Sequence, residues 1–169
     1  ASLDFLIGKM KENHGLEITL TKSPDAEPKN KDVASFLYRA LSELLFNAAK
    51  HSNVKTASID VCEKDGWIVI RVADSGKGAD LERVYTHRGD DWGFGLFSIE
   101  ERIQALGGRI TIETAPGNGW ITTLCVPRIT GSSVKVESEP DETGSQRYRS
   151  GEKKVTPAKS NLPGETKDK

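Results

Sequence analysis

The sequence lacks a long hydrophobic run, an excess of charge of either sign and more than two cysteines. Without about 20 consecutive apolar residues it contains no candidate transmembrane helix, and its first residues lack the basic-then-apolar layout of a signal peptide. Lysine and arginine number 24 against 25 for aspartate and glutamate, which excludes a global basic field for nucleic acid or an anionic membrane. Any phosphate binding must therefore be local.

The two cysteines, Cys62 and Cys125, lie inside apolar, strand-like runs, and neither has a metal-ligating neighbour. This usage is typical of a reduced, cytoplasmic protein rather than of a disulfide framework. The abrupt start at "ASLDFLIGKMKENHG" is compatible with a fragment cut from a larger parent, including a membrane-associated one.

Composition divides the chain into two parts. Residues 130–169 are rich in Ser, Pro, Gly, Glu and Lys, with Tyr148 as the only aromatic residue. Such a segment buries too little apolar surface to offset the entropy of ordering it. We predict one domain over residues 1–129 and a disordered tail or interdomain linker over residues 130–169.

Within the domain, hydrophobic periodicity predicts a strand over 16–22, a long helix over 31–51 and a hairpin turning at Asp65-Gly66. A loop with a short helix in "LERVY" follows, then a helix in "GLFSIEERIQALGG" that stops at its glycines, and two strands in 109–115 and 120–127. Two long helices and about five largely antiparallel strands predict an α+β fold, a two-layer sandwich with helices on one face of the sheet.

The stretch "ALSELLFNAAKHS", residues 40–52, carries Glu43, Asn47, Lys50 and His51 beside its apolar face. One interpretation is a solvated face with an i, i+4 pair between Arg39 and Glu43. The other is a binding wall, since the Asn47 amide is an oxygen ligand for Mg²⁺, a carboxylate can act as a base and a lysine can meet phosphate. The stripe alone does not decide between them.

Two glycine-containing stretches follow strands or open helices. "VADSGKGAD" places Asp74 at a strand end, with Gly76 and Gly78 allowing the backbone to turn and to approach a flat ligand. "GFGL", residues 93–96, opens a helix whose N–H groups can point at an anion. An Asx-type turn and an ordinary loop-to-helix joint are the alternatives for each stretch taken alone.

The order of these motifs is what is specific. From about Leu3 to Pro127 the chain resembles the ATP-binding catalytic domain of sensor histidine kinases, in the superfamily shared with gyrase, Hsp90-type chaperones and MutL proteins. "YRALSELLFNAAKHS" is similar to the family's N box, "DSGKGAD" to its G1 box and "GFGL" to its G2 box. "ERIQALGG" is similar to the corresponding helix ending in the branch of kinases typified by nitrate sensors and the membrane thermosensor of bacilli. The resemblance implies a Bergerat-type ATP-binding fold.

The resemblance also implies roles for individual residues on the phosphate side of the site. Asn47 would coordinate Mg²⁺, Glu43 would be the base or orienting group for an attacking imidazole, and Lys50 and His51 would approach the phosphates or the ribose. The G2 box would wrap the phosphates through Gly93, Gly95 and Leu96.

On the base side, the resemblance implies that Asp74 accepts a hydrogen bond from the adenine amino group, with Gly76 and Gly78 shaping the pocket floor. The family usually has Gly-Thr at the start of its last strand, whereas here Gly119 is followed by Trp120. Thr122, on the same face of that strand, is the candidate replacement. The segment 81–92 would be a mobile lid over ATP.

The implied activity is transfer of the γ-phosphate of Mg-ATP to a histidine. None of the three histidines, His14, His51 and His87, lies in a phosphoacceptor context. We therefore expect the acceptor on a dimerisation domain of the parent kinase, with a response regulator receiver domain served indirectly. The parent is expected to be a homodimer and this fragment a monomer.

Three alternatives remain open at this stage. One is an ATPase or clamp module of the gyrase or MutL kind, in which Glu43 activates water. Another is a degenerate nucleotide-binding or interaction domain, as would follow if Trp120 closes the adenine pocket. The last is a serine-directed, anti-sigma-type kinase, which shares the boxes but not the "ERIQALGG" ending.

Overall fold

The structure is a computed structural model that describes residues 2–86 and 93–128. The predicted tail over 130–169, and the part of the predicted lid beyond Thr86, lie outside the described residues. The secondary-structure elements, in chain order, are α1 (Leu3–His14), β1 (Glu17–Lys22), α2 (Lys31–His51), β2 (Thr56–Lys64), β3 (Trp67–Asp74), α3 (Leu81–Thr86), α4 (Gly93–Ala105), β4 (Arg109–Thr114) and β5 (Trp120–Pro127).

The described strands form one five-stranded sheet in the order β1-β2-β3-β5-β4. β1 pairs with β2 in parallel, and every other pair is antiparallel. Alternate residues of β3 show the two faces, since Ile68 and Ile70 are buried while Arg71 is exposed and lies 3.7 Å from Asp60 on β2. The mixed sheet with helices on one face confirms the predicted α+β fold and is consistent with the Bergerat ATP-binding fold.

Helix α2 is the element that carries the apolar layer over the sheet. Its N-terminus is capped by Asn30, whose side-chain oxygen accepts a hydrogen bond of 2.8 Å from the Asp32 N–H. Its buried apolar residues recur at spacings of three and four along the helix: Val33, Leu37, Ala40, Leu41, Leu44, Leu45 and Ala48. This stripe confirms the predicted helix over 31–51 and fixes which side of α2 remains for polar residues.

The first helix, α1, was not predicted: hydrophobic periodicity indicated two long helices, neither of them over residues 3–14. Ser2 caps it by accepting a hydrogen bond from the Phe5 N–H, and Gly15 ends it at a φ of 63°. Leu6 and Met10 are buried in the core. The N-cap serine and the C-terminal glycine flank the helix as capping preferences predict, so these two residues were the available signal.

Two predicted turns depend on positive φ angles. The hairpin between β2 and β3 turns at Asp65 and Gly66, with φ angles of 53° and 80°, which is the combination that a type I′ turn requires. Helix α4 ends at Gly107, with a φ of 73°, and the Gly108 N–H donates to the Ile103 carbonyl over 2.8 Å. Both predictions are confirmed.

The two cysteines are free, with Cys62 exposed and Cys125 buried. Each pairs with Val69 of β3, from opposite sides, so they lie about 9 to 10 Å apart across two strand spacings. That is beyond the roughly 7 Å between α-carbons that a disulfide can span. Within the described ranges, no helix is long and apolar enough to cross a membrane.

Candidate functional site

A cavity opens between α2, the start of α4 and the strand ends where β3 finishes and β5 begins. About 440 Å³ of space, open solvent included, lies between its walls, which are formed by Leu44, Asn47, Ala48, His51, Ser52, Val72, Asp74, Gly78, Leu96, Trp120 and Thr122. Six residues that the sequence analysis selected are in this set: Asn47, His51, Asp74, Gly78, Leu96 and Thr122. The remaining walls are largely apolar, as in a site for a flat organic ligand.

Asn47 and His51 lie one helical turn apart on α2 and both face the cavity. Asn47 is only 7% exposed, so it does not belong to a solvated stripe. Within the described part of the chain, its side chain forms no hydrogen bond. The amide lines the cavity, where a ligand can exchange hydrogen bonds with it.

The chemistry at Asn47 fits a hard cation shared with a ligand. Among residues 2–86 and 93–128, no three histidine, cysteine or acidic side chains cluster tightly enough to hold a metal by themselves. A cation such as Mg²⁺, which keeps waters and shares phosphate oxygens, needs only one or two protein ligands. The Asn47 carbonyl oxygen can supply one of them.

Asp74 ends β3 at the opposite side of the cavity. Its Oδ1 accepts a hydrogen bond of 2.9 Å from the Gly76 N–H. Burial raises the pKa of the carboxyl above its ordinary value of 3.8, and the Gly76 N–H partly opposes that shift by favouring the charged form. Among the described residues, no hydrogen bond to the second carboxylate oxygen is seen, and since Asp74 lines the cavity this oxygen can accept one from a ligand.

The loop after β3 is held from two sides. The Lys77 N–H donates to the Ser52 carbonyl over 2.9 Å, and Gly119 donates to the Gly76 carbonyl over 3.0 Å. A β-carbon on Gly76 would overlap Ser52, and one on Gly78, where φ is 59°, would overlap the Ala115 carbonyl. Both glycines are therefore required by close backbone contacts, and Gly78 lines the cavity.

The far wall of the cavity is the start of β5. Trp120 pairs in register with Asp74, and its indole Nε1–H donates a 2.8 Å hydrogen bond to Thr122 Oγ1. Thr122 is 1% exposed. Its hydroxyl oxygen is thus already an acceptor for the indole.

The other predicted residues lie beside this cavity rather than in its walls. Glu43 is half-buried, and its carboxylate contacts Gly95 at the start of α4. It lines an adjacent open groove together with Arg39, Ser98 and Arg102. Lys50 is exposed on the last turn of α2, and Gly93 begins α4.

Ser52 and Val72 line the cavity but were not predicted as site residues. The Ser52 hydroxyl donates to the Ala48 carbonyl over 2.6 Å, and its oxygen accepts from the Val54 N–H over 3.2 Å. These bonds end α2 and hold the carbonyl that receives Lys77. A serine directly after the last helical residue was the available signal, since hydroxyls satisfy helix-end groups.

Comparison with known proteins extends these observations. The model of the family described as histidine kinase-, DNA gyrase B- and HSP90-like ATPases matches residues 32–130. Similar solved structures include the histidine kinase domain of a blue-light-activated histidine kinase from Erythrobacter litoralis EL346, with 19% identity and a TM-score of 0.61 over 74% of this chain. A second structure of that kinase has a TM-score of 0.58 over 74% of this chain and 40% of its own length, again at 19% identity.

A mycobacterial sensor histidine kinase, MprB, is similar with 20% identity and a TM-score of 0.57, over 73% of this chain and 90% of the other. The present chain spans 58% of the length of the first Erythrobacter structure. At this level of identity the similarity to these structures is one of fold.

Proposed function

The chain belongs to the family of histidine kinase-, DNA gyrase B- and HSP90-like ATPases, and from this premise we propose that it binds Mg-ATP and donates the γ-phosphate to a histidine on a separate dimerisation domain. The observation that best supports this proposal is a single cavity that Asp74 lines from the sheet and the buried Asn47 lines from α2. The "ERIQALGG" ending supports the nitrate-sensor and thermosensor branch.

The base end of the proposed site is narrow and apolar. Leu44, Val72 and Leu96 are each 4% exposed and face the cavity, which suits a planar ring. Asp74 is the acceptor for the exocyclic amino group of adenine, because it lines the cavity and only its Oδ1 is engaged by the Gly76 N–H. A ring with a carbonyl at that position would place the carbonyl oxygen against the Asp74 carboxylate, acceptor against acceptor. ATP is therefore favoured over GTP.

The phosphate end combines Asn47 with the start of α4. The Asn47 oxygen would be a ligand for Mg²⁺, whose positive charge would neutralise the phosphates. The first N–H groups of α4, from Gly93 onward, are available to phosphate oxygens. His51 at the cavity wall and Lys50 beside it are assigned to the ribose and phosphates.

Transfer to an acceptor requires an opening beside the phosphates. Glu43 lies there, against Gly95 and along a groove that Arg39 and Arg102 also line. A carboxylate in that position can orient an incoming imidazole or accept its proton. His14 contacts the Phe46 ring on another side of α2, and His51 lines the cavity, which supports an acceptor on a partner domain.

The partners follow from this reaction. We assign this chain to a cytoplasmic part of a homodimeric kinase, and we expect the chain alone to be monomeric. The phosphoryl group would then pass from the histidine to the receiver domain of a response regulator. We expect no nucleic-acid partner, because 24 basic residues are balanced by 25 acidic ones.

Calorimetry with the intact chain tests ATP binding. We expect ATP binding that depends on Mg²⁺. Asp74→Asn should weaken it about tenfold or more because the charged acceptor is lost, and Asn47→Asp should do the same because the neutral ligand is lost. Asp60→Asn, on the opposite face of the sheet, is the matched control and should bind like the parent. Absence of binding at millimolar adenine nucleotide would rule out the proposal.

Labelled ATP then separates kinase from ATPase. With the histidine-bearing domain of the same parent added, a kinase places acid-labile label on that domain. Release of inorganic phosphate without labelled protein would instead favour a module of the gyrase or MutL kind, in which Glu43 activates water.

A further inference from the structure

The groove between α2 and α4 begins beside the proposed catalytic carboxylate. At that end, which we call its reactive end, Glu43 contacts Gly95, and both residues line the groove. From this contact the lining residues of α2 run back toward the N-terminus of that helix, and those of α4 run on toward its C-terminus. The groove is therefore continuous with the opening through which an acceptor would approach Glu43.

The two walls of the groove are rows of residues with helical spacing. Gly95, Ser98 and Arg102 are three and four residues apart on α4, and Arg39 and Glu43 are four apart on α2. A third helix can place its own side chains between two such rows, because rows at these spacings are the surfaces through which helices pack. The shape of the groove therefore suits a helical occupant.

The floor of the groove is apolar. Phe36 of α2 is half-buried and packs against the core, while Ala40 and Ile99 are buried, and all three line the groove. A helix laid along the groove would remove the exposed part of the Phe36 ring from water, which stabilises the contact. The occupant is thus expected to be amphipathic, with an apolar side against this floor.

Two arginines of the groove are available to a partner. Arg39 and Arg102 are exposed, and among residues 2–86 and 93–128 neither of them forms an ion pair. The acidic residues of the groove are held elsewhere, since Glu43 contacts Gly95 and Asp32 lies in the first turn of α2, where the helix dipole favours a carboxylate. Both guanidinium groups can therefore receive carboxylates of an occupant, in bidentate geometry.

We propose that the helix carrying the acceptor histidine docks in this groove, and that Arg39 and Arg102 select it by pairing with its acidic side chains. The inference rests on the proposed function and names the partner surface of the same site. Arg102 lies seven residues after Gly95, which at about 1.5 Å per residue places it about 10 Å from the reactive end. With the histidine at Glu43, the acidic residue that meets Arg102 is expected about two helical turns from the histidine.

Kinetics with the histidine-bearing domain of the same parent as the varied substrate test the groove. At saturating Mg-ATP, Arg102→Glu should raise the KM for that domain by about tenfold or more, because an attraction becomes a repulsion. The kcat, and the ATP affinity measured by calorimetry, should stay close to those of the parent. The KM of the parent should also rise with ionic strength, and that of the variant should not.

Lys9→Glu is the matched control. It makes the same charge reversal in a second groove, between α1 and α2, that Glu43 also lines, and it should leave the KM unchanged. Replacing the acidic residue two turns from the histidine of the acceptor helix by lysine should restore the KM of Arg102→Glu and raise that of the parent. A merely structural role of Arg102 would give no such rescue.

The outcomes separate the groove from the function on which it rests. If Arg102→Glu phosphorylates the domain with the KM of the parent, or if only Lys9→Glu raises the KM, the docking groove is wrong and the kinase stands. If the parent binds ATP but leaves the domain unlabelled, the groove and the proposed function fall together. A dimer of the chain alone that Arg102→Glu dissociates, detected by sedimentation, would assign the groove to a second copy of this chain and overturn the proposal.

Discussion

Glu43 on α2 and Gly95 on α4 are in direct contact, and the Glu43 carboxylate fills the space that a β-carbon on Gly95 would need. A methyl group at position 95 must therefore displace the carboxylate, because the backbone of α4 is fixed by the burial of Leu96 and Ile99. This contact couples the proposed catalytic carboxylate to the glycine that opens the phosphate end of the site.

Gly95→Ala is expected to slow phosphoryl transfer to the histidine-bearing domain by about tenfold or more, since the displaced Glu43 carboxylate would lose much of its contribution to the rate. ATP affinity, measured by calorimetry, should change far less. Gly8→Ala in α1 is the control, because a β-carbon at Gly8 would meet nothing within 4 Å beyond the helix's own backbone. It should leave phosphoryl transfer unchanged and stabilise the helix by about 0.5 to 1 kcal/mol.

A double-mutant cycle decides whether the effect passes through Glu43. In a Glu43→Ala background the methyl group has no carboxylate to displace, so Gly95→Ala should cause no further loss of rate. Additive losses in the two positions would contradict the mechanism.

Gly78→Ala should destabilise the domain by about 3 kcal/mol, because its φ of 59° is unfavourable for alanine and its β-carbon would overlap the Ala115 carbonyl. Gly117→Ala is the matched control, with a φ of 83° and open space around the β-carbon. It should cost about 1 kcal/mol, the conformational part alone. Urea denaturation of both variants measures the difference, and equal losses would mean that the close approach at Gly78 is unimportant.

Much of the fold followed from the sequence because its signals are local. The buried stripe of α2 and the positive φ angles at Asp65 and Gly66 are encoded by residues that are neighbours in the chain. Helix α1 was missed since its periodicity is short and its burial depends on docking against α2, a tertiary contact.

The site was predicted less completely, for a related reason. Asn47 and Asp74 stand in recognisable motifs, and the structure brings them to one cavity. Ser52 participates through its backbone carbonyl, whose partner Lys77 is distant in sequence. The hydrogen bond between Trp120 and Thr122 depends on side-chain rotamers, which neither composition nor periodicity encodes.

Ser52→Ala should destabilise the protein by about 1 to 3 kcal/mol, because the Ala48 carbonyl and the Val54 N–H lose a buried partner. The loop that α2 holds should also open more often, which faster hydrogen exchange of the Lys77 amide would report. Ser35→Ala, on the exposed side of the same helix, should change stability by less than about 0.5 kcal/mol. Unchanged exchange at Lys77 would mean that Ser52 does not hold the loop.

Asp74→Asn should stabilise the free protein at neutral pH while weakening ATP binding. Burial raises the pKa of the Asp74 carboxyl in the folded state, so the folded protein holds that proton more tightly than the unfolded chain. The contribution of Asp74 to the free energy of unfolding therefore falls as pH rises from 3.8, its ordinary pKa, through its raised folded pKa. Asparagine has the shape of the protonated form, retains an acceptor for the Gly76 N–H and does not titrate.

Denaturation of the parent and of Asp74→Asn across this window measures the effect as a difference, which cancels the titration of the other carboxyl groups. The variant should gain relative stability as pH rises through the folded pKa, and the gain should level off above it. Asp60→Asn is the control, because Asp60 lies beside Arg71 on the solvent-facing side of the sheet and its replacement removes an attractive partner instead. A variant that is less stable than the parent at neutral pH would show that the Gly76 hydrogen bond outweighs burial at Asp74, and the carboxylate would then be a structural cap rather than a strained acceptor held for a ligand.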